Sequence, residues 1–264
     1  MKERNSRQTF LGEGFLKSLE DEKVALVGLG GGGSLIAASL IHIGFKNFFI
    51  CDPDYFEESN INRLLGAHFT DIQAGTPKVE IISRMMRSVE PNVNITLRRK
   101  KWQDCIDVKE FKKSKIIFSC LDDFSNRMQI EAFARKNGIV LIDIGLSIKK
   151  DGGGSHHSMG QIVLSHPDGP CFKCLDFITD KDLEVEASKY GDVGSRPQVI
   201  WANSILANCA IGLGVEILSE WTGRIPKIFY KHFDGNSLSL FDNLKVEKGV
   251  LEGKRCKHYK KNEL

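Results

Sequence analysis

The segment KVALVGLGGGGSLIAASL, Lys23 to Leu40, constrains this chain more than any other. An apolar strand runs into five glycines within six positions and then directly into an apolar helix. Gly28, Gly30 and Gly33 satisfy G-x-G-x-x-G, and Gly31 stands among them in the candidate phosphate-binding turn. Such a turn lets backbone approach a phosphate, and the amides of the helix start supply partial positive charge. Asp52 ends the next apolar strand, about 20 residues on, where a carboxylate can hold ribose hydroxyls. Strand, turn, helix and acid in register favour a nucleotide over an empty tight turn. The pattern alone leaves NAD, FAD, S-adenosylmethionine and ATP open, because each carries an adenosine.

The rest of the chain sets this turn in a wound α/β fold. VALVGL (24–29), KNFFICD, VNITLRR, KIIFSCL and IVLIDIG read as strands. SLIAASLIHI (34–43), PKVEIISRMMRSVEP and SNRMQIEAFARKNG read as helices, the last two stopped at Pro91 and Gly138. Strands that alternate with helices and are almost continuously apolar predict a Rossmann-like, mostly parallel sheet with helices on both faces. Past residue 150 the pattern changes to an antiparallel extension. MGQIVLSHP and IFYKHFDGNSLSLFDNLKV read as its strands, and RPQVIWANSILANCAIGLGVEILSEW as one long apolar helix ending near Trp221. Between them the acidic LDFITDKDLEVEASKYGDVGS (175–195) reads as a mobile surface loop. No Pro/Ser-rich linker separates the halves. One domain over 1–264 is expected: an N-terminal arm or helix (1–22), a nucleotide-binding core (23–150) and an extension (151–264).

Composition narrows the class. A net charge of +3 is too small to argue for nucleic acid, and RRKK (98–101) and the tail GKRCKHYKKNEL read as solvated runs. MKERNSRQTFLGEG lacks the apolar centre of a signal peptide, and no run is read as the ~18 apolar residues of a membrane span. Seven cysteines, odd in number and unevenly spaced, do not form a disulfide framework. The chain reads as cytoplasmic, with reduced thiols.

Residues downstream separate the nucleotides. A dinucleotide's two phosphates need only backbone amides, whereas a triphosphate with a metal needs cations and a further carboxylate. After Asp52 come DYFEESNINRLLG and AGTPKVE, which supply Asn60, Arg63 and Lys78 on segments leaving the C-terminal edge of the sheet. SCLDDFSNR puts Asp122 at the end of another strand on that edge, as the carboxylate for Mg²⁺. Singly, Arg63 and Lys78 are ordinary surface cations; their joint placement points to ATP. An NAD-dependent dehydrogenase would leave them unexplained, and no hydride-transfer constellation is evident.

VGLGGGGS, DPDYFEESNINR, GTPK and CLDDFSNR, in this order and spacing, resemble the ThiF/MoeB/HesA family, the adenylating relatives of ubiquitin-activating enzymes. RNSRQ near the N-terminus is similar to that family's opening arginine motif, and the likeness covers roughly residues 4–221. The resemblance implies that Asp52 holds the ATP ribose, that Asn60, Arg63 and Lys78 contact the triphosphate, and that Asp122 sits by Mg²⁺. It implies that Arg7 reaches into a partner subunit's site, hence a homodimer. Arg127 matches a slot after the aspartate and is read as structural. Leu64 departs from the glutamine the family usually has there, removing one polar contact.

Cys171-x-x-Cys174 has the spacing of two thiolates on one tetrahedral metal. Similar family members close a zinc site with a second CxxC near the C-terminus; here RCKHY offers Cys256, with Tyr259 where the fourth cysteine would stand and His258 as the nearest substitute. A structural Zn²⁺ held by Cys171, Cys174, Cys256 and His258 is expected, remote from ATP. Some relatives use a further cysteine for a thioester, but residues 175–208 contain none. Cys51, Cys120 and Cys209 read as core, Cys105 is unassigned, and His156 and His157 have no assigned role. The activity implied is ATP-dependent adenylation of the C-terminal carboxylate of a small ubiquitin-like protein. A peptide, a small molecule or a tRNA base is the alternative substrate within the same family.

Overall fold

The computed structural model describes residues 3–188, 197–254 and 256–259. A 3₁₀ turn over Glu3–Leu11 leads into α1 (Glu13–Ser18), β1 (Lys23–Val27) and α2 (Gly31–Ile43). Then come β2 (Asn47–Cys51), α3 (Phe69–Ala74), α4 (Lys78–Val89), β3 (Asn94–Arg98), α5 (Lys109–Lys112), β4 (Ile116–Ser119) and α6 (Phe124–Lys136). The second half holds β5 (Val140–Lys150), β6 (His156–Ser165), α7 (Asp180–Ser188), α8 (Ile200–Ser219), β7 (Tyr230–Asp234), β8 (Ser239–Asp242) and α9 (Leu244–Glu247).

These strands form one sheet in the order β3-β2-β1-β4-β5-β6-β7-β8. The first five are parallel and the last three add on antiparallel, beginning with the long β5–β6 hairpin from Leu141↔Ser165 to Lys150↔His156. The continuous apolarity of the strands has a direct cause. In β1, Val24 and Leu26 enter one core with Ile36, Leu40, Ile82 and Leu206, while Ala25 and Val27 enter the other with Phe111, Ile130 and Phe172. Side chains alternate across a strand, so a strand covered on both faces is apolar at every position. Helices α2, α4 and α8 contribute to the first layer; α5 and α6 contribute to the second.

Two expectations change. Within 175–195, Asp180–Ser188 is helical; 189–195 lies outside the described residues. Thr179 and Asp182 explain the start. The Thr179 N–H donates to Asp182 Oδ2 at 2.8 Å, and the Asp182 N–H donates to Thr179 Oγ1 at 3.2 Å, the reciprocal bonding of a capping box. The second change concerns α8, whose 20 residues have a mean hydropathy of 1.4 and are long and apolar enough to cross a membrane. Here Ala202, Leu206, Ala207 and Ala210 are buried against the sheet and α2, the placement of a core helix.

Candidate functional site

Strand order reverses at β1, whose successor β2 lies on one side and β4 on the other. The crevice at the carboxyl ends of such strands is where open α/β sheets hold ligands. The glycine turn, the end of β2 and the end of β4 all meet there. Gly28 has φ +84°, and a Cβ on it would lie 2.7 Å from the Cys120 carbonyl oxygen at the end of β4. Gly33 packs against the Gly28 carbonyl, so a side chain at either position would force the turn away from its neighbours. Around Gly30 nothing lies within 4 Å of a notional Cβ, so this part of the turn faces open space.

Asp52 is 5% exposed, and both its oxygens are engaged. Oδ2 accepts from the Leu29 N–H at 2.6 Å and Oδ1 from the Asp54 N–H at 2.8 Å. Burial pushes its pKa up, while the Lys78 charge and these two backbone bonds pull it down. The carboxylate thus ties the end of β2 to the glycine turn. Lys78 opens α4 and reaches back, its Nζ 2.8 Å from Asp54 Oδ2. Asp54 is a residue the sequence reading passed over, although it stands in DPDYF only two positions after Asp52.

Asn60 and Arg63 lie on the short turn that follows. Asn60 is buried, with Nδ2 donating to Ser59 Oγ at 3.1 Å and Oδ1 lacking a protein partner. The Arg63 guanidinium is turned back onto its own segment, donating to the Ser59 carbonyl and to Asn62 Oδ1. Leu64 beside it is buried in the core, so the residue in place of the family glutamine serves packing. Asp122 is exposed just past β4. Next to it Asp123 caps α6, accepting from the Asn126 N–H at 2.6 Å. Glu186 of α7 reaches the same helix start, accepting from the Phe124 and Ser125 N–H groups at 2.8 and 2.9 Å. Arg7 is exposed on the N-terminal 3₁₀ turn. Asp52, Asp54 and Lys78 are linked directly, whereas Asp122 and Arg7 come from separate elements.

Beneath this edge lies a buried ion pair. Arg127 Nη1 is 3.0 Å from Asp143 Oδ1, and Asp143 Oδ2 accepts from Ser119 Oγ at 2.7 Å. Arg127 also donates to the Leu121 carbonyl through Nε at 3.0 Å and Nη2 at 2.6 Å. The guanidinium therefore fastens the ends of β4 and β5 together, the structural role read for it from the sequence.

A second cluster sits apart. The ligand atoms of Cys171, Cys174, Cys256 and His258 all lie within 4.8 Å of one another. Cys171 Sγ is 3.6 Å from Cys174 Sγ and 3.3 Å from His258 Nδ1; Cys174 Sγ is 3.8 Å from Cys256 Sγ and 3.4 Å from His258 Nδ1. Tetrahedral zinc implies about 3.8 Å between sulfurs and about 3.5 Å from sulfur to nitrogen, so this donor set fits the ion and could hold it. Tyr259 does other work: its OH bonds Glu131 Oε2 at 3.4 Å and its ring lies under the Arg135 guanidinium, 5.1 Å away. Glu131 also accepts from the Phe172 N–H at 2.8 Å, beside Cys171, and burial pushes its pKa up to about 7. Cys51, Cys120 and Cys209 behave as read, Cys51 buried and the other two packed against the core, and Cys105, unassigned from the sequence, is buried as well.

Known proteins resemble this chain in sequence and in fold. The ThiF family pattern covers residues 3–251. Ubiquitin-like modifier-activating enzyme 5 of Drosophila virilis is 30% identical over 169 residues, 59% of this chain and 40% of that protein. tRNA threonylcarbamoyladenosine dehydratase 2 of Saccharomyces cerevisiae is 31% identical over 147 residues, 54% of this chain and 32% of that protein. The chain therefore aligns with less than half the length of these relatives. Crystal structures of E. coli MccB share the fold: with ATP, the TM-score is 0.71 at 16% identity over 92% of this chain and 71% of that one. With selenomethionine-labelled MccA, the TM-score is 0.74 at 15% identity over 93% and 73%. With the family pattern running from the N-terminal turn through the switch-point crevice and the CxxC turn to residue 251, this chain is a member of the ThiF family.

Proposed function

We propose that this chain is an ATP-dependent adenylyltransferase acting on a C-terminal carboxylate, that of the glycine end of a small ubiquitin-like protein. The observation that carries the reading is the bonding of Asp52 to the glycine turn, with Lys78 held beside it by Asp54 and Arg63 packed against Gly31, at the switch point. Similarity to ubiquitin-like modifier-activating enzyme 5 supports the substrate class.

In this reading the glycine turn and the start of α2 take the phosphates, and Asp52 accepts from the ribose. Lys78 leaves Asp54, and Arg63 leaves Ser59, for the phosphoryl oxygens. Asp122 is the residue that would hold Mg²⁺, which supplies charge neutralisation on the departing pyrophosphate. A substrate carboxylate oxygen bonds to the α-phosphorus as the bond to the α–β bridging oxygen breaks, giving acyl-adenylate and pyrophosphate. No protein base is required, since a carboxylate is ionised near neutral pH. Positioning and charge stabilisation then do the catalysis. Residues 175–208 offer no cysteine for a thioester in the place some relatives use, which favours direct handover of the acyl-adenylate to its acceptor. Zinc on the Cys/His cluster staples the C-terminal segment to the CxxC turn.

Arg7 completes the site of a partner subunit in a homodimer. An Arg7→Ala chain mixed with an Asp122→Ala chain regains partial activity on this reading; verified mixed dimers without recovery contradict it. Chemistry and substrate class are tested together by ATP–pyrophosphate exchange, with small proteins, peptides and RNA from the source cell supplied as separate pools. Exchange driven by the small-protein pool is the expected result. Exchange driven only by peptides or RNA keeps adenylation and replaces the substrate.

A further inference from the structure

Asn203 is a polar residue in the first turn of the apolar helix α8, and it is only 5% exposed. Its backbone N–H is bonded to the Val199 carbonyl at 3.2 Å, but its side-chain Nδ2 is buried without an acceptor. Buried donors almost always have partners, and one left without costs stability. Such costs concentrate where a ligand completes the bond.

Its position says which ligand. Nδ2 lies 2.6 Å from the point where a Cβ on Gly31 would stand, and Arg63 Cβ lies 3.4 Å from that same point. Gly31 is the first residue of α2, whose earliest helical bond runs from the Ser34 N–H to the Gly30 carbonyl. The amides of Gly31, Gly32 and Gly33 thus precede any intrahelical acceptor. The carboxamide stands against the first residue of this set and adds one more donor that has no acceptor. Donors gathered at the start of a 13-residue helix call for an anion.

We propose that Asn203 is a further phosphate-binding residue, its carboxamide donating to a non-bridging oxygen of the triphosphate above the start of α2. This rests on the reading of the site as one for ATP. Nδ2 is closed to solvent, so the phosphates reach it as the Arg63 segment moves aside.

The test titrates the full chain with MgATP and, separately, with adenosine. Parent, Asn203→Ala, Asn203→Ser and Lys78→Ala are compared, with melting temperatures recorded in the absence of nucleotide. Asn203→Ala and Asn203→Ser are expected to raise the Kd for ATP about tenfold, leave adenosine binding alone and keep or raise the melting temperature. Parental ATP affinity in both variants, with Lys78→Ala weakened, overturns this inference and leaves the ATP site standing. Equal losses for ATP and adenosine, or a lowered melting temperature in both variants, assign Asn203 to packing and overturn it as well. A parent that binds no ATP overturns both readings.

Discussion

At the switch-point crevice, polar groups stand without partners or lean on their own segments; at the Cys/His cluster they close on one another. Arg63 is folded back on Ser59 and Asn62, Lys78 is held by Asp54, and Asn60 Oδ1 and Asn203 Nδ2 have no partner. Four ligand atoms of the second cluster are already at metal spacing, and the groups behind them are bonded: Tyr259 to Glu131, Glu131 to the Phe172 N–H, Arg135 to the His166 and Gly169 carbonyls. A structural ion at the cluster and an exchanging substrate at the crevice would produce this difference: an ion's shell is complete in the folded chain, whereas a substrate site keeps polar groups unpartnered or held by bonds they can exchange.

The comparison breaks most visibly if the cluster is not a staple. Purified chain is expected to carry about one zinc, and chelation or Cys171→Ser to lower the melting temperature by roughly 10 °C or more. Metal analysis showing none, or an unchanged melting temperature after removal, would contradict the assignment. Next in size is the ion pair under the crevice. Arg127→Met leaves the Asp143 carboxylate buried without its counter-charge and should cost about 3–5 kcal/mol at pH 8, read by denaturant unfolding. Burial outweighs Arg127 and raises the Asp143 pKa to about 6. Against an unfolded value of about 3.9, its stabilising contribution is full below about pH 4 and is lost as pH rises through about 6. That component should vanish in Asp143→Asn, and an unaltered pH profile would contradict it. The smallest effect belongs to Tyr259→Phe, which removes one hydrogen bond but keeps the ring under Arg135. It should cost about 1 kcal/mol and leave zinc bound; metal loss would mean that Tyr259 does more than anchor the segment.

The same contrast governs what could be read in the sequence. The parallel strands were legible because burial on both faces leaves an unbroken apolar run, as in Val24–Val27 and Ile116–Phe118. The glycine turn and CxxC were legible because backbone approach and metal geometry each require fixed spacings. His258 was legible through the resemblance, as the nearest suitable donor where similar family members carry a second CxxC. Helix α7 was not, since none of its side chains is buried and no apolar period marks it. Its Thr179–Asp182 box and the bonds of Glu186 to the start of α6 hold it instead. Asn203 escaped notice because its meaning depends on Gly31, 172 positions earlier in the chain (203 minus 31), lying beside it. The signal was nonetheless present, as an asparagine at the head of an apolar helix.

The ATP assignment is tested most directly by equilibrium titration of the full chain with MgATP and with NAD, repeated on Lys78→Ala. The account predicts that ATP binds in preference to NAD and that Lys78→Ala weakens ATP at least tenfold without lowering the melting temperature. Tighter binding of NAD, with Lys78→Ala indistinguishable from the parent, would contradict it.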